Sequence, residues 1–140
     1  MLAAYLAAYI SCVQVFPEVH VTLSALTAHG VHIGIATNGP ADVAEAVLQQ
    51  CGVRPFVDCM VTPAHAGAVK PSQAFATFVA VQTGVDPRRI VFVGDRVEDI
   101  MTAKLMGATA VLMDRGASPQ LEVTPDYVVQ TLRDILPICL

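Results

Sequence analysis

The stretch "VFVGDRVEDIM", Val91 to Met101, places two aspartates, Asp95 and Asp99, directly after an apolar run. A short continuous apolar run is typical of a strand that is covered on both faces of a sheet. Residues Val97–Met106 then carry a helical pattern that stops at Gly107. The stretch therefore predicts a buried strand whose carboxyl end leads into a helix, with two carboxylates at the junction.

Strand and helix signals alternate along the chain outward from this stretch. Strands are predicted at "VHIGIATN", "FVDCMVTP", "RIVFVGD", "ATAVLMD" and "DYVV". Helices are predicted near the amino terminus (Leu2 to Val13), from Val19 to Gly30, from Pro40 to Gln50, from Pro71 to Gly84, from Val97 to Met106 and around Leu132 to Leu136. This alternation predicts βαβ units and a three-layer, Rossmann-like α/β domain with a parallel sheet. In such sheets the catalytic and ligand-binding residues lie at the carboxyl ends of the strands.

Composition limits the classes of partner. The 140 residues fit one domain, and 54% of them are apolar. A net charge of −4 without a cluster of basic residues argues against nucleic acid, and the apolar start of the chain is too short to predict a membrane span. The four cysteines show no CxxC spacing, so we expect reduced thiols in a cytoplasmic protein.

Three of the predicted strand ends carry polar groups, and the first is Thr37-Asn38-Gly39. A hydroxyl and free backbone N–H groups before a helix start suit a phosphate oxygen. Ordinary turn and helix-capping chemistry explains the same residues, so both interpretations stay open.

The second polar group is Lys70, in "GAVKPSQAF". Apart from Asp58, it is the one acidic or basic residue between Arg54 and Asp86. Fixed by the proline that follows it, its ammonium could neutralise a phosphoryl group or a carboxylate. A solvated surface lysine is the alternative.

The third is the aspartate pair. Asp95 ends a buried strand, where a lone carboxylate costs much desolvation unless a cation or hydrogen-bond donors compensate it. Asp99 lies one helical turn further on and could share the water shell of a cation held by Asp95. Hard oxygen ligands of this kind suit Mg²⁺. Capping of the following helix is the alternative for both residues.

Together these segments resemble a known family. "IATNGP", "GAVKPSQAFATFVAV" and "RIVFVGDRVEDIMTAKLMGATAVLMDRG" resemble, in order and spacing, the second, third and fourth motifs of the haloacid dehalogenase-like hydrolases. The resemblance extends from about Pro17 to Leu136. It implies that residues 1–16 are the remnant of a small helical cap and that residues 17–140 form the core domain.

Similarity to the phosphatase branch of this family implies Mg²⁺-dependent hydrolysis of a phosphate ester of a small metabolite. It makes Thr37 the phosphoryl-binding hydroxyl and Lys70 the charge-stabilising lysine. The implied phosphate-binding residues are Thr37, Asn38, Gly39 and Lys70, the implied catalytic residues are Thr37 and Lys70, and the implied metal residues are Asp95 and its supporting partner Asp99.

The first motif of the family, an Asp-x-Asp pair on a central strand, has no match, since no aspartate stands two residues before another. The chain therefore resembles a family member truncated within its cap, which we expect to be inactive alone and to hold Mg²⁺ weakly or not at all. The missing strand predicts either a slot lined by Ile33, Ile35, Phe92 and Val93 or direct pairing of their strands. A slot invites a strand-donating partner or a homo-oligomer.

Two alternative functions stay open. One is a non-catalytic binding module on the same core, completed by a partner. The other is a 2-haloacid dehalogenase, since that branch shares the lysine and the Thr-Asn pair. Asp95 argues against the second alternative, because displacement of a halide needs no Mg²⁺.

Overall fold

The computed structural model describes residues 13–140. The predicted amino-terminal helix, and with it most of the proposed cap remnant, lies outside the described residues. The strands are β1 Gly34–Ala36, β2 Cys59–Val61, β3 Val91–Gly94, β4 Thr109–Met113 and β5 Tyr127–Val129. The α-helices are α1 Val19–Ala28, α2 Ala41–Gln50, α3 Pro63–Ala66, α4 Gln73–Thr83, α5 Val97–Met106 and α6 Leu136–Cys139. Short 3₁₀ turns lie at Arg54–Phe56, Pro87–Arg89 and Leu132–Ile135.

Most predicted elements are confirmed, but some are shorter: the strand predicted at Val31–Asn38 spans only Gly34–Ala36, and the helix predicted around Leu132 to Leu136 is a 3₁₀ turn followed by α6. Two further details differ. Helix α4 begins at Gln73 rather than at Pro71, because the hydroxyl of Ser72 accepts a hydrogen bond from the N–H of Phe75 at 3.1 Å and caps the helix there. The short helix α3 was not predicted. Its start is fixed by the N–H of Thr62, which donates to Nδ1 of His65 at 3.1 Å.

The strands form two parallel sheets, with the orders β1-β2 and β3-β4-β5. Gly34 is opposite Cys59 in the first sheet, and Val91 is opposite Thr109 in the second. Within residues 13–140 no strand joins β1 to β3. The predicted break in the sheet is therefore present, and the alternative that β1 and β3 pair directly is wrong.

Apolar cores cover both faces of the strands. On one face, α4 and α5 bury Phe75 and Ile100 completely against Phe92 and Leu112. On the other face, residues of α1 and α6 pack with the remaining strand residues; buried members of this core are Leu23, Leu26, Val111, Val129 and Ile135. Because successive strand residues point to opposite faces, each strand supplies both cores. The predicted three-layer α/β arrangement is confirmed.

Two further expectations concern location and the thiols. Cys51, Cys59 and Cys139 are free thiols, and burial raises the pKa of Cys59 and of Cys139. In the part of the chain that the structure describes, none of the helices has the length and apolar character needed to cross a bilayer. The cytoplasmic location stays a prediction.

Glu18, which precedes α1, forms hydrogen bonds with two segments that are distant in the sequence. Its Oε1 accepts hydrogen bonds from Nη2 of Arg115 at 2.5 Å and from the N–H of Leu132 at 3.2 Å. The Arg115 guanidinium also lies 3.5 Å from the ring centroid of Phe16. The hydrogen bond from Arg115, more than any other contact, lowers the pKa of Glu18 to about 2. The ionised form of Glu18 is therefore stabilised in the folded protein.

Replacement of Glu18 by glutamine should destabilise the protein in a pH-dependent way. The folded-state pKa is depressed, so the stabilisation is complete above the ordinary value of 4.5 and is lost as the pH falls toward about 2. Urea denaturation should show a lower midpoint for Glu18→Gln than for the wild type at pH 7 and a smaller difference at pH 3. Glu122→Gln, at an exposed carboxylate, serves as the control. A difference for Glu18→Gln that is equal at both pH values would contradict this account.

Candidate active site

The side chain of Lys70 joins the carboxyl ends of the two sheets. Its Nζ donates a hydrogen bond to the carbonyl oxygen of Ala36 at 2.9 Å and lies 2.6 Å from Oδ1 of Asp99. The side chains of Lys70 and Asp99 are each only 10% exposed. The ammonium also lies 5.9 Å from the ring centroid of Phe92. The prediction that Lys70 points into the strand ends is therefore consistent with its position, and a solvated surface lysine is not observed.

Asn38 fixes the backbone of Lys70. Its Nδ2 donates to the carbonyl oxygen of Lys70 at 3.0 Å, and its Oδ1 accepts from the N–H of Lys70 at 2.7 Å. The amide side chain is thus used to position the lysine. The sequence placed Asn38 in the phosphate-binding loop but carried no signal for this contact, because the two residues lie 32 positions apart.

Thr37 and Gly39 form a turn at the end of β1. The hydroxyl oxygen of Thr37 accepts a hydrogen bond from the N–H of Gly39 at 3.1 Å, and the N–H of Thr37 donates to the carbonyl of Val61 at 3.0 Å. The hydrogen bond expected of an ordinary turn is therefore present. It uses a lone pair of the hydroxyl and leaves the hydroxyl proton available for an anion.

The two aspartates differ in their surroundings. Asp99 is buried, and its Oδ2 accepts a hydrogen bond from the N–H of Arg96 at 3.2 Å, so it caps α5 while it pairs with Lys70. Asp95 is exposed and makes no hydrogen bond or ion pair with another described residue through its side chain. The helix-capping alternative therefore holds for Asp99, whereas the carboxylate of Asp95 is available to bind a ligand.

Gly94 makes room for the side chain of Asp99. A Cβ atom at residue 94 would lie 2.2 Å from Cβ and 2.3 Å from Cγ of Asp99, closer than real Cβ contacts come. The sequence showed a glycine at the end of the strand but did not predict this contact. A glycine in a strand often marks a close approach, and that is the only signal that could have found it.

The donor atoms present offer little to a metal ion. Among residues 13–140, no group of three or more histidine, cysteine, aspartate or glutamate side chains could hold one. Both oxygens of Asp99 already accept hydrogen bonds. Asp95 therefore fits as a single hard ligand of an ion that keeps most of its water, as Mg²⁺ commonly does. The metal roles of Asp95 and Asp99 stay predictions.

Comparison with known proteins places most of the chain in one family. Residues 2–107 match the family model of the haloacid dehalogenase-like hydrolases. The chain is 32% identical over 128 residues to a probable phosphoglycolate phosphatase of Pseudomonas putida, covering 89% of this chain and 51% of that protein. It is 30% identical over 125 residues to the phosphoglycolate phosphatase of Escherichia coli K12, covering 87% and 50%. The chain thus spans about half the length of the curated relatives it matches.

Solved structures agree on the fold. A predicted phosphoglycolate phosphatase from Haemophilus somnus superposes with a TM-score of 0.87 at 28% identity, over 97% of this chain and 62% of that one. An L-2-haloacid dehalogenase superposes with a TM-score of 0.86 at 25% identity, over 97% and 61%. An HAD phosphatase from Thermococcus onnurineus gives 0.81 at 30% identity, over 89% and 57%. Fold similarity alone therefore does not separate phosphatases from dehalogenases.

Removal of the Lys70 ammonium should be costly because Asp99 would keep a buried, unpaired charge. We expect Lys70→Met to lower the free energy of unfolding by about 3 kcal/mol in urea denaturation. The double variant Lys70→Met/Asp99→Asn should recover much of this loss. Lys104→Met removes a lysine whose pair with Asp126 is far more exposed and should cost at most about 1 kcal/mol. Equal losses for the two lysine variants would contradict a special role of Lys70.

Addition of a methyl group at Gly94 should displace Asp99. We expect Gly94→Ala to lower the free energy of unfolding by about 1–3 kcal/mol, the usual cost of overpacking. The same substitution in an Asp99→Gly background should cost less, because the atoms it meets are gone. A double-mutant cycle in urea measures the difference. An unchanged cost in that background would show that Asp99 is not the obstacle.

Proposed function

Because this chain belongs to the haloacid dehalogenase-like hydrolase family, we propose that it serves the Mg²⁺-dependent hydrolysis of a phosphate ester of a small metabolite. The observation that carries the proposal is the placement of Lys70. Its ammonium is fixed between the end of β1 and the start of α5, beside the Thr37–Gly39 turn. A fixed cation with little exposure to water stabilises a developing negative charge more strongly than a mobile surface lysine does.

The proposed role of each residue depends on which of its polar groups are free to contact the substrate or a metal ion. The hydroxyl proton of Thr37 is free to donate to a phosphoryl oxygen, since the turn uses only the oxygen as an acceptor. Lys70 supplies the positive charge, and Asn38 keeps its backbone in place. Asp99 orients the ammonium. Asp95 would hold Mg²⁺, which neutralises phosphate charge when bound.

The carboxylate nucleophile that the family resemblance implies is not in this sequence. Positioned donors and one lysine, without a nucleophile, give only a small part of an enzyme's rate enhancement. We therefore propose that these 140 residues form the charge-stabilising part of the site and have at most a small residual phosphatase activity by themselves.

The names of the relatives suggest where to look for the substrate. Both curated relatives described above are called phosphoglycolate phosphatases, the first of them as probable. Phosphoglycolate is therefore the first compound to test. The substrate proposal is otherwise limited to small phosphate monoesters.

Dehalogenation of a 2-haloacid is the second candidate, since the TM-score of an L-2-haloacid dehalogenase, 0.86, lies between those of the two phosphatases, 0.87 and 0.81. The open carboxylate of Asp95 favours the phosphatase, because a reaction that releases halide has no need of a hard cation at that point. A Mg²⁺ requirement therefore distinguishes the two candidates.

A pair of substitutions at Thr37 tests the proposal in the protein translated from the gene's complete reading frame. Phosphate release from phosphoglycolate and from p-nitrophenyl phosphate should require Mg²⁺. Thr37→Val, which replaces the hydroxyl group with a methyl group, should lower kcat by about 10²-fold, and Thr37→Ser should keep most of the activity. Circular dichroism checks that both variants fold.

Two results would reject the proposed function. One is halide release from 2-chloropropionate without Mg²⁺ and without phosphatase activity. The other is equal phosphatase activity in Thr37→Val and Thr37→Ser, which would mean that the hydroxyl does not contact the substrate.

A further inference from the structure

The loop that carries Lys70 begins directly after β2, at the carboxyl end of that strand. The N–H of Thr37 donates a hydrogen bond to the carbonyl of Val61, the last residue of β2, at 3.0 Å. Thr62, the next residue, is completely buried. Residues 62–70 therefore start beside the Thr37–Gly39 turn and end at the lysine of the candidate site.

The side chain of His65 holds the first turn of this loop. Its Nδ1 accepts a hydrogen bond from the backbone N–H of Thr62 at 3.1 Å, and the hydroxyl of Thr62 lies 3.1 Å from the same nitrogen. Because a backbone N–H only donates, Nδ1 carries a lone pair and the ring proton of the neutral imidazole is on Nε2. His65 thus takes the place that glutamate or glutamine has in a capping box.

Helix α3 depends on this cap. It has only four residues, Pro63–Ala66, and isolated helices of this length are not stable in water. Ala66 packs against the core, whereas Ala64 and His65 are exposed. Because the helix buries so little apolar surface, the hydrogen bonds to His65 supply a large share of the energy that keeps the turn formed.

The far end of the loop is held at Lys70, whose backbone N–H and carbonyl both bind the side chain of Asn38. Helix α3 ends at Gly67, which leaves only Ala68 and Val69 between the two held points. Among residues 13–140, neither N–H of this pair donates a hydrogen bond to another backbone group. The loop is therefore fixed by its two ends and by little between them.

Loss of the cap would lengthen the free part of the loop. The free segment would grow from the two residues 68–69 to the eight residues 62–69. The entropic cost of closing a loop rises with the logarithm of its length, and this fourfold increase disfavours the closed loop by roughly tenfold. The cap on α3 is thus linked to the position of a lysine five residues further along the chain.

We propose that His65 is a positioning residue for Lys70: by capping α3 through Nδ1, it fixes the first part of the loop and keeps the ammonium group in place for the reaction. His65 acts through the loop backbone and has no chemical step of its own. This role rests on the proposed function, since it concerns the lysine assigned there to charge stabilisation.

Amide hydrogen exchange tests the structural part of the proposal in the protein translated from the gene's complete reading frame. In His65→Ala, exchange at the N–H of Lys70, which is bonded to Oδ1 of Asn38, should be about tenfold faster than in the wild type. His65→Gln provides an acceptor suited to a capping box and should restore slow exchange. His29→Ala is the matched control, because the ring of His29 bonds to the carbonyl of Ala25 in α1, and should leave Lys70 unchanged.

Phosphatase kinetics test the link to the reaction. His65→Ala should lower kcat by about tenfold, because small misplacements of a catalytic group are costly, and should change KM much less. His65→Gln should keep most of the wild-type kcat, and His29→Ala should keep all of it. Circular dichroism checks that each variant folds.

A cap that matters only to α3 gives a different pattern. Exchange at Gly67, whose N–H donates to the carbonyl of Pro63, would then be faster in His65→Ala, while exchange at Lys70 and kcat would match the wild type. That pattern overturns the proposal. Faster exchange at Lys70 with an unchanged kcat overturns it too, as does a low kcat that His65→Gln does not restore, since the ring would then do more than accept a hydrogen bond.

Failure of the proposed function gives a separate result. If the complete protein releases no phosphate from any ester, the proposed function is rejected. Exchange at Lys70 needs no substrate, so it still decides whether His65 fixes the loop.

Discussion

The ion pair between Lys70 and Asp99 is the contact on which the arrangement of the strand ends depends. A lysine and an aspartate with so little exposure to water stabilise a protein only when their geometry is good and their other polar atoms are satisfied. Ala36 supplies an acceptor for the ammonium, and Arg96 supplies a donor for the carboxylate. Asn38 fixes the lysine backbone. The positions of Ala36, Arg96 and Asn38 are therefore all linked to this one ion pair.

The same pair spans a break in the sheet. Thr37 and Asn38 follow β1, whereas Asp95 and Asp99 follow β3, and in the described residues these strands belong to different sheets. Besides Lys70, apolar packing on both faces holds the two sheets together, since residues of both sheets contribute to each core. The precision of the candidate site thus depends on a little-exposed ion pair and on apolar packing, without the backbone hydrogen bonds that normally join neighbouring strands.

Family membership and the break in the sheet explain different aspects of the molecule. The family model and the relatives connect the strand ends to hydrolysis, and the relatives are about twice as long as the matched part. The break in the sheet is seen in the strand pairing alone, whichever reaction the site serves.

Local patterns in the sequence determined most of the secondary structure. The bounds of α5 agree with prediction at both ends, because an apolar strand precedes the helix and Gly107, with a φ of +81°, ends it. The order of strands and helices and the proximity of Thr37, Lys70 and Asp99 also followed from the sequence, since parallel strands place their carboxyl ends together. The start of α4 was misplaced by two residues because Ser72, rather than Pro71, supplies the cap.

The sequence by itself determined the layers, the family and the set of polar residues at the strand ends. Only the tertiary structure decided which contact each of these residues makes. Asn38 hydrogen-bonds to the backbone of Lys70, Asp99 pairs with its ammonium group, and the carboxylate of Asp95 makes no contact with another described side chain. The physical reason is separation along the chain. Asn38 and Asp99 contact Lys70 from 32 and 29 positions away, so which atoms meet depends on how the two sheets pack, and no local pattern encodes that.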